Sequence, residues 1–323
     1  AQTMGELCHA VLRTCYPRLV EAGWPGREPA PSVQGHVKRA VEEVFAAHAA
    51  EQGTGYALIW DLARETIERL VLDLLEIDGE DCRASGFRPV AFEVEAQGLL
   101  EGLRESLLEG LPEPRAVTVK GRLDRVDRRE EPPALRIVDY KYKESRQSKS
   151  EDRDLPTAAV RAFRLQPPLY ALMKVQARVP ERQPVPVERV EFLFLAPHWD
   201  TRIERASFDA AMWQGPVGPQ IRQTLATLLD GIKEGRFHIL PDGYCTYCEF
   251  STACRRFHGP TWWRAYRSPS AQRLRQLRKQ KVDKNSNGLR VKSNEMLIPE
   301  QQERRLAETT FDRNVVVVAG AGT

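Results

Sequence analysis

AVTVKGRLDRVD (116–127) and ALRIVDYKY (134–142) are the two stretches on which the fold turns. Both are rich in β-branched and aromatic residues and read as strands. Each interrupts its apolar pattern with an aspartate, Asp124 in the first and Asp139 in the second. The spacer RREEPP (128–133) is charged and carries two prolines, so a turn and a hairpin are expected. Lys141 follows Asp139 by two positions, and side chains two apart on a strand leave the same face. The hairpin brings Asp124 beside that pair. A carboxylate among strand formers is costly unless it is paired or bound to a metal. Two readings remain open for the trio: a surface strand with an Asp–Lys ion pair, or a carboxylate site for a hard divalent cation.

The chain upstream has a different period. Residues 5–20 place Leu7, Val11, Leu12 and Leu19 at helical spacing, with Pro17 interrupting late. After the loop GWPGREPAPS, helical patterns cover 34–50 and 56–77. PVAFEVEA (89–96) alternates as a strand. Downstream, 143–156 is polar and loop-like. A helix is predicted over 157–178, disturbed by Pro167–Pro168, then a strand over 187–196 (VERVEFLFLA) and a helix over 216–235. Helices first, then strands flanked by helices, predict an α/β core with a helical N-terminal extension.

No apolar run in the 323 residues approaches the ~18 needed to span a bilayer. The N-terminus shows no basic start followed by an apolar stretch, so a cytoplasmic protein without a membrane partner is expected. The first residue is Ala1, inside a helical pattern, which suggests a fragment. The net charge of +3 is uneven: residues 264–292 hold ten Lys or Arg against one acid, Asp283. Such a segment is either a solvated linker or the footprint of a phosphate-backbone partner.

GRLDRVD followed by IVDYKY resembles the second and third motifs of the PD-(D/E)xK nuclease superfamily, specifically its RecB-like branch with the AddB-type and Cas4-type proteins. The resemblance implies a restriction-endonuclease-like core, a central mixed sheet flanked by helices, with Asp124 and Asp139 as ligands of Mg²⁺ or Mn²⁺ and Lys141 as the catalytic lysine. GELCHAVL (5–12) resembles the branch's helical motif, whose histidine, here His9, reaches the metal; His36 lies in a helical pattern and competes with it. Gln166-Pro-Pro-Leu-Tyr170 resembles the Q-x-x-x-Y motif that lines the site beside DNA, and the prolines set Gln166 at a helix start. Glu93 is a weaker candidate for a supporting carboxylate, and Glu95 shares its face. The function implied is a metal-dependent DNA exonuclease acting on single-stranded ends delivered by a helicase, in double-strand-break processing and recombinational repair. Two alternatives stay open: a catalytically silent DNA-binding scaffold, and an accessory nuclease part of an ATP-dependent helicase.

Six cysteines are present, and three fall within ten residues as Cys245-x2-Cys248-x5-Cys254. Thiolates at this spacing bind iron–sulfur clusters or zinc. In the resembled nucleases three such cysteines join one before the core to hold a 4Fe–4S cluster, which Tyr244, Tyr247 and Phe250 would shield here. Cys8 or Cys15 is the available fourth thiol; for zinc, His258 or His238 would complete the set. LIPEQQERRLAETTFDRNVVVVAGAGT (297–323) resembles the opening of a UvrD/RecB-like superfamily 1 helicase, with Gln301 on its adenine-reading motif. Its phosphate loop stops at Thr323, before the lysine. The expected organisation is a nuclease domain over 1–263, a basic linker over 264–295 and a truncated helicase start over 296–323.

Overall fold

The computed structural model describes residues 2–26, 30–100, 117–143, 154–174, 185–197, 202–235, 245, 248–255 and 258–282. The chain divides into two compact units. The first comprises Ala1–Glu101, Arg115–Ala159 and Arg164–Gln214; the second comprises Gly102–Pro114, Val160–Phe163 and Gly215–Thr323.

The first unit opens with helices α1 (Gln2–Glu21), α2 (Ala30–Gln52) and α3 (Ala57–Ser85). α1 continues through Pro17. The buried stripe Leu7, Val11, Leu12, Tyr16 and Leu19 holds both sides of the proline on the core, which outweighs one missing backbone hydrogen bond. α3 ends at Gly86, whose φ of 77° is the left-handed cap that favours glycine. Of its helically spaced apolar residues, Ile67, Leu70, Val71 and Leu74 are buried, whereas Leu58 and Leu62 near its start are exposed.

The sheet is mixed and six-stranded, in the order β4-β1-β2-β3-β5-β6. Its strands are β1 (Arg88–Leu100), β2 (Val117–Arg129), β3 (Ala134–Tyr142), β4 (Met173–Lys174), β5 (Val187–Leu195) and β6 (Ile203–Asp209). The β2–β3 hairpin forms as predicted, and β3 pairs in parallel with β5. This is the restriction-endonuclease-like core with its helical extension. The helix predicted over 157–178 breaks into α4 (Leu155–Val160), α5 (Gln166–Tyr170) and the short strand β4. Gln166 is the first residue of α5, and Pro167 and Pro168 follow within its first turn, where a missing N–H is tolerated.

The three helices cover one face of the sheet through Val138, Tyr140, Leu193 and Leu195. On that face lies a buried ionic network. Arg125 donates from Nη1 to Asp78 Oδ2 (2.6 Å) and the Tyr140 hydroxyl (2.8 Å), and from Nη2 to Asp78 Oδ1 (3.0 Å) and Asp127 Oδ2 (2.9 Å). Arg136 donates to Asp127 (2.7 Å from Nη2) and to Asp81. Burial would raise the Asp78 carboxyl, but the charge and hydrogen bonds of Arg125, with Tyr16 and Arg136, hold it below the usual range. Asp78, Asp81 and Cys82 cluster closely enough to ligate a cation; here guanidinium groups neutralise the two acids instead.

The second unit contains α6 (Val217–Lys233), α7 (Gly259–Arg267) and α8 (Pro269–Lys279). Thr224 donates to the Val160 carbonyl at 2.6 Å, and Arg161 donates to the Gln280 carbonyl at 3.1 Å, which ties residues 160–163 to these helices. Within the segment read as a linker, residues 264–267 and 269–279 are helical, and the Ser268 hydroxyl between them caps α8 by accepting from the Ala271 N–H. The helicase-like stretch 296–323, with Gln301 and the glycine-rich end, lies outside the described residues, as do His238, Tyr244 and Tyr247. No helix among the described residues is long and apolar enough to cross a membrane.

Candidate active site

The face of the sheet opposite the helical core carries the carboxylates. The β2–β3 ladder pairs Val126 with Ile137 and Arg125 with Val138. One step further, the same register sets Asp124 opposite Asp139. There the Asp124 side chain replaces the ladder, with Oδ2 accepting from the Tyr140 N–H at 2.9 Å. The neighbouring Tyr140 carbonyl accepts from His9 Nε2 on α1 at 2.8 Å. A carbonyl only accepts, so Nε2 carries the proton, and Nδ1 faces Asp124 Oδ2 at 3.5 Å. The backbone of one residue, Tyr140, thus sets both the aspartate and the histidine.

Lys141 leaves the same face as Asp139, its Nζ 2.6 Å from Asp139 Oδ2 and over the Phe192 ring. The contact is a short, charge-assisted pair that holds the buried Asp139 oxygen against the ammonium. Burial, then the charge of Asp139, pushes the Asp124 carboxyl up to about 6, against the pull of His9, the Tyr140 N–H and Lys141. Burial raises Asp139 as well, opposed mainly by Lys141. Two carboxyls that resist ionisation in a shared site are what an added cation relieves.

Glu93, rather than Glu95, joins the group. It lies opposite Asp124, between the pairs Phe92–Arg125 and Val94–Leu123. Its φ of 51° is left-handed, a conformation that costs a non-glycine residue on the order of 1 kcal/mol or more. Ligand atoms of His9, Glu93 and Asp124 all lie within 4.8 Å of one another. Glu93 also pairs with exposed Arg122 at 2.7 Å. Glu95 is exposed, and His36 sits half-buried on α2 outside that group. A cleft of about 600 Å³ opens beside the site, lined by His9, Arg13, Glu93 and Lys141 among others.

Gln166 and Tyr170 sit together on α5, the amide donating to the phenol at 3.3 Å and the phenol to the Arg122 carbonyl at 3.4 Å. Burial, then the charges of Asp139 and Asp124, raises the Tyr170 hydroxyl. Gly121 makes room for this residue: a Cβ there would stand 2.8 Å from Met173 Cε and 3.3 Å from Tyr170 Cε1.

The cysteines do not assemble. Cys245, Cys248 and Cys254 are half-buried and form no disulfide, and among the described residues they form no group with converging ligand atoms. Cys8 and Cys15 lie inside the helical core, where burial pushes both thiols up to about 12, opposed at Cys15 by Arg18. They pack as small apolar side chains, which removes them as fourth ligands. His258 turns its Nδ1 to Thr261 Oγ1 at 2.8 Å, at the start of α7.

Sequence reasoning missed the two backbone groups of Tyr140, because no side-chain motif marks a residue that acts through its peptide. It named Glu93 but kept Glu95 as a possible replacement, since alternation alone cannot see the kink at residue 93.

A mixed sheet with two opposed aspartates, a lysine two residues on and a histidine from the first helix defines a metal-nuclease class of site. The model of the PD-(D/E)XK nuclease superfamily matches residues 1–255, and the chain belongs to that superfamily. Two curated relatives are each described as one subunit of an ATP-dependent helicase/deoxyribonuclease. The protein from Geobacillus thermodenitrificans is 28% identical over 145 residues, and that from Geobacillus kaustophilus 30% over 146. Each match covers 44% of this chain and spans 12% of the relative's length.

Proposed function

We propose that this chain is a divalent-metal-dependent DNA nuclease that hydrolyses phosphodiester bonds with Asp124, Asp139 and Lys141. The observation that carries the reading is the opposition of Asp124 and Asp139 on β2 and β3 with Lys141 beside them. The donor set fits a hard cation: carboxylate oxygens that burial and mutual repulsion keep from ionising, and one imidazole nitrogen. Asp124, Asp139 and His9 would hold Mg²⁺ or Mn²⁺. Bound there, the ion supplies Lewis acidity toward the phosphate and acidifies water. Tyr140 fixes the ligands through its N–H and carbonyl. Lys141 holds the attacking water and offsets charge developing on the phosphate. Gln166 and Tyr170 present an amide and a phenol to the strand beside the carboxylates.

The finer reading is an exonuclease working on single-stranded ends supplied by a partner helicase or a fused helicase domain in double-strand-break repair. It rests on the descriptions of the relatives and on the sequence of 297–323. The cysteine triad enters as a second metal centre, 4Fe–4S or zinc, on its spacing alone. Iron and zinc analysis with a visible absorption spectrum of anaerobically purified protein tests it, and a colourless, metal-free protein removes it.

The test of catalysis is cleavage of end-labelled single-stranded and duplex DNA with Mg²⁺. Wild type should cut, while Asp124→Ala and Lys141→Ala should bind but not cut. Absence of cleavage by the wild type under these conditions supports the silent scaffold instead.

A further inference from the structure

Residues 258–282 of the second unit contain seven Lys or Arg and no Asp or Glu. Their first helix, α7, supplies Trp262, Trp263 and Tyr266, three aromatic side chains in nine residues. Rings of this size ordinarily supply core area. Yet no residue of α7 is buried.

The rings order one another instead. Trp262 stacks on Tyr266 at 4.8 Å and 14°, and Trp263 stands edge-on to both. Arg275 of α8 lies 3.7 Å over the Tyr266 ring, and Arg267 lies 5.2 Å from Trp263. Trp263 remains 40% exposed. On α8, Ala271 and Leu277 turn inward. Arg273, Gln276 and Lys279, spaced by three on one face, are exposed, as is Lys281 just beyond.

A fixed aromatic platform in a segment of cations suits a partner with both π-faces and regular negative charge. Duplex DNA hides its bases in the stack, and an acidic peptide has no array of rings. Single-stranded nucleic acid offers both. We propose that the α7–α8 surface binds single-stranded DNA, with a base stacked on Trp263 and phosphates against Arg273, Lys279 and Lys281. The inference rests on the nuclease reading only for the choice of DNA over RNA. It requires no cleavage.

The experiment is fluorescence anisotropy of a labelled 20-mer oligo(dT), and of a duplex of equal length, titrated with the full chain in EDTA at several salt concentrations. Wild type should bind oligo(dT) more tightly. Trp263→Ala should weaken oligo(dT) binding roughly tenfold and leave duplex binding nearly unchanged, and Trp263→Phe should restore most of the loss. Replacing Arg273, Lys279 and Lys281 together by Gln should reduce the slope of log affinity against log salt by about 2, at roughly 0.7 per phosphate contact on a single strand. Oligo(dT) binding that ignores both sets of substitutions overturns the proposal, and so does competition by polyglutamate equal to that by oligo(dT) at the same charge. An Asp124→Ala protein that binds oligo(dT) like wild type separates this surface from the catalytic reading. If cleavage is never seen but binding follows Trp263, catalysis fails and this surface stands.

Discussion

Asp124→Asn should make the metal-free protein more stable while abolishing cleavage. The asparagine keeps the shape and leaves an oxygen to accept from the Tyr140 N–H, so the backbone contact that fixes β3 survives. What disappears is a buried charge. The Asp124 carboxyl is pushed from 3.8 to about 6, by burial and by Asp139. At about 1.36 kcal/mol for each pH unit, ionised Asp124 destabilises the native state on the order of 3 kcal/mol. The sign follows from proton binding. Between 3.8 and about 6 the folded protein holds a proton that the unfolded chain has released, so stability falls as pH rises through this window and the loss is complete above it. The advantage of Asp124→Asn should therefore be full at pH 7–8, about half as large at pH 5 and small near pH 4. Urea unfolding of both proteins in EDTA across that range measures it. Mg²⁺ should then erase the difference, because an ion at a hundredfold excess over its Kd stabilises the wild type by about 2.7 kcal/mol and the variant lacks a ligand. A variant no more stable than wild type at pH 8 in EDTA, or an advantage that persists undiminished at pH 4, refutes the account of a strained carboxylate.

His9→Gln should keep a donor for the Tyr140 carbonyl but remove Nδ1, lowering Mn²⁺ affinity by calorimetry roughly tenfold or more with the melting behaviour of the metal-free protein little changed. Arg125→Met should cost about 3–5 kcal/mol in urea unfolding, because it leaves Asp78 and Asp127 buried with one cation fewer; a loss below about 1 kcal/mol contradicts this role for the network. Gly121→Ala should destabilise by about 1–3 kcal/mol through overpacking against Met173 and Tyr170, and should slow cleavage of a labelled strand without altering metal affinity.

Much of the first unit was legible because its signals are local. The hairpin shows in two strand-forming runs around RREEPP, and the shared face of Asp139 and Lys141 follows from strand geometry. The opposition of Asp124 to Asp139 needed the register, which a turn with two prolines leaves open. The helix expected over 157–178 failed because apolar spacing there is helical while Pro167–Pro168 permits only a new helix start. Residues 264–279 read as a linker because charge density hid their sparse apolar positions, of which Ala271 and Leu277 are buried. Cys8 and Cys15 could not be told from ligands until their place inside α1 made them core residues.

Tyr140 joins the two faces of the sheet. Its hydroxyl accepts from Arg125 inside the ionic network, while its N–H and carbonyl hold Asp124 and His9. A residue between Asp139 and Lys141 on a strand must point away from their shared face, so its side chain can serve only the opposite one. Arg125 likewise follows Asp124 and points away from it. The alternation that aims Asp124, Asp139 and Lys141 outward therefore aims Arg125 and Tyr140 inward, and the buried network stiffens the two strands at the positions where the carboxylates must not move. A site that sets two like charges against each other needs such a backing, since neither carboxyl is held in place by an attraction to the other.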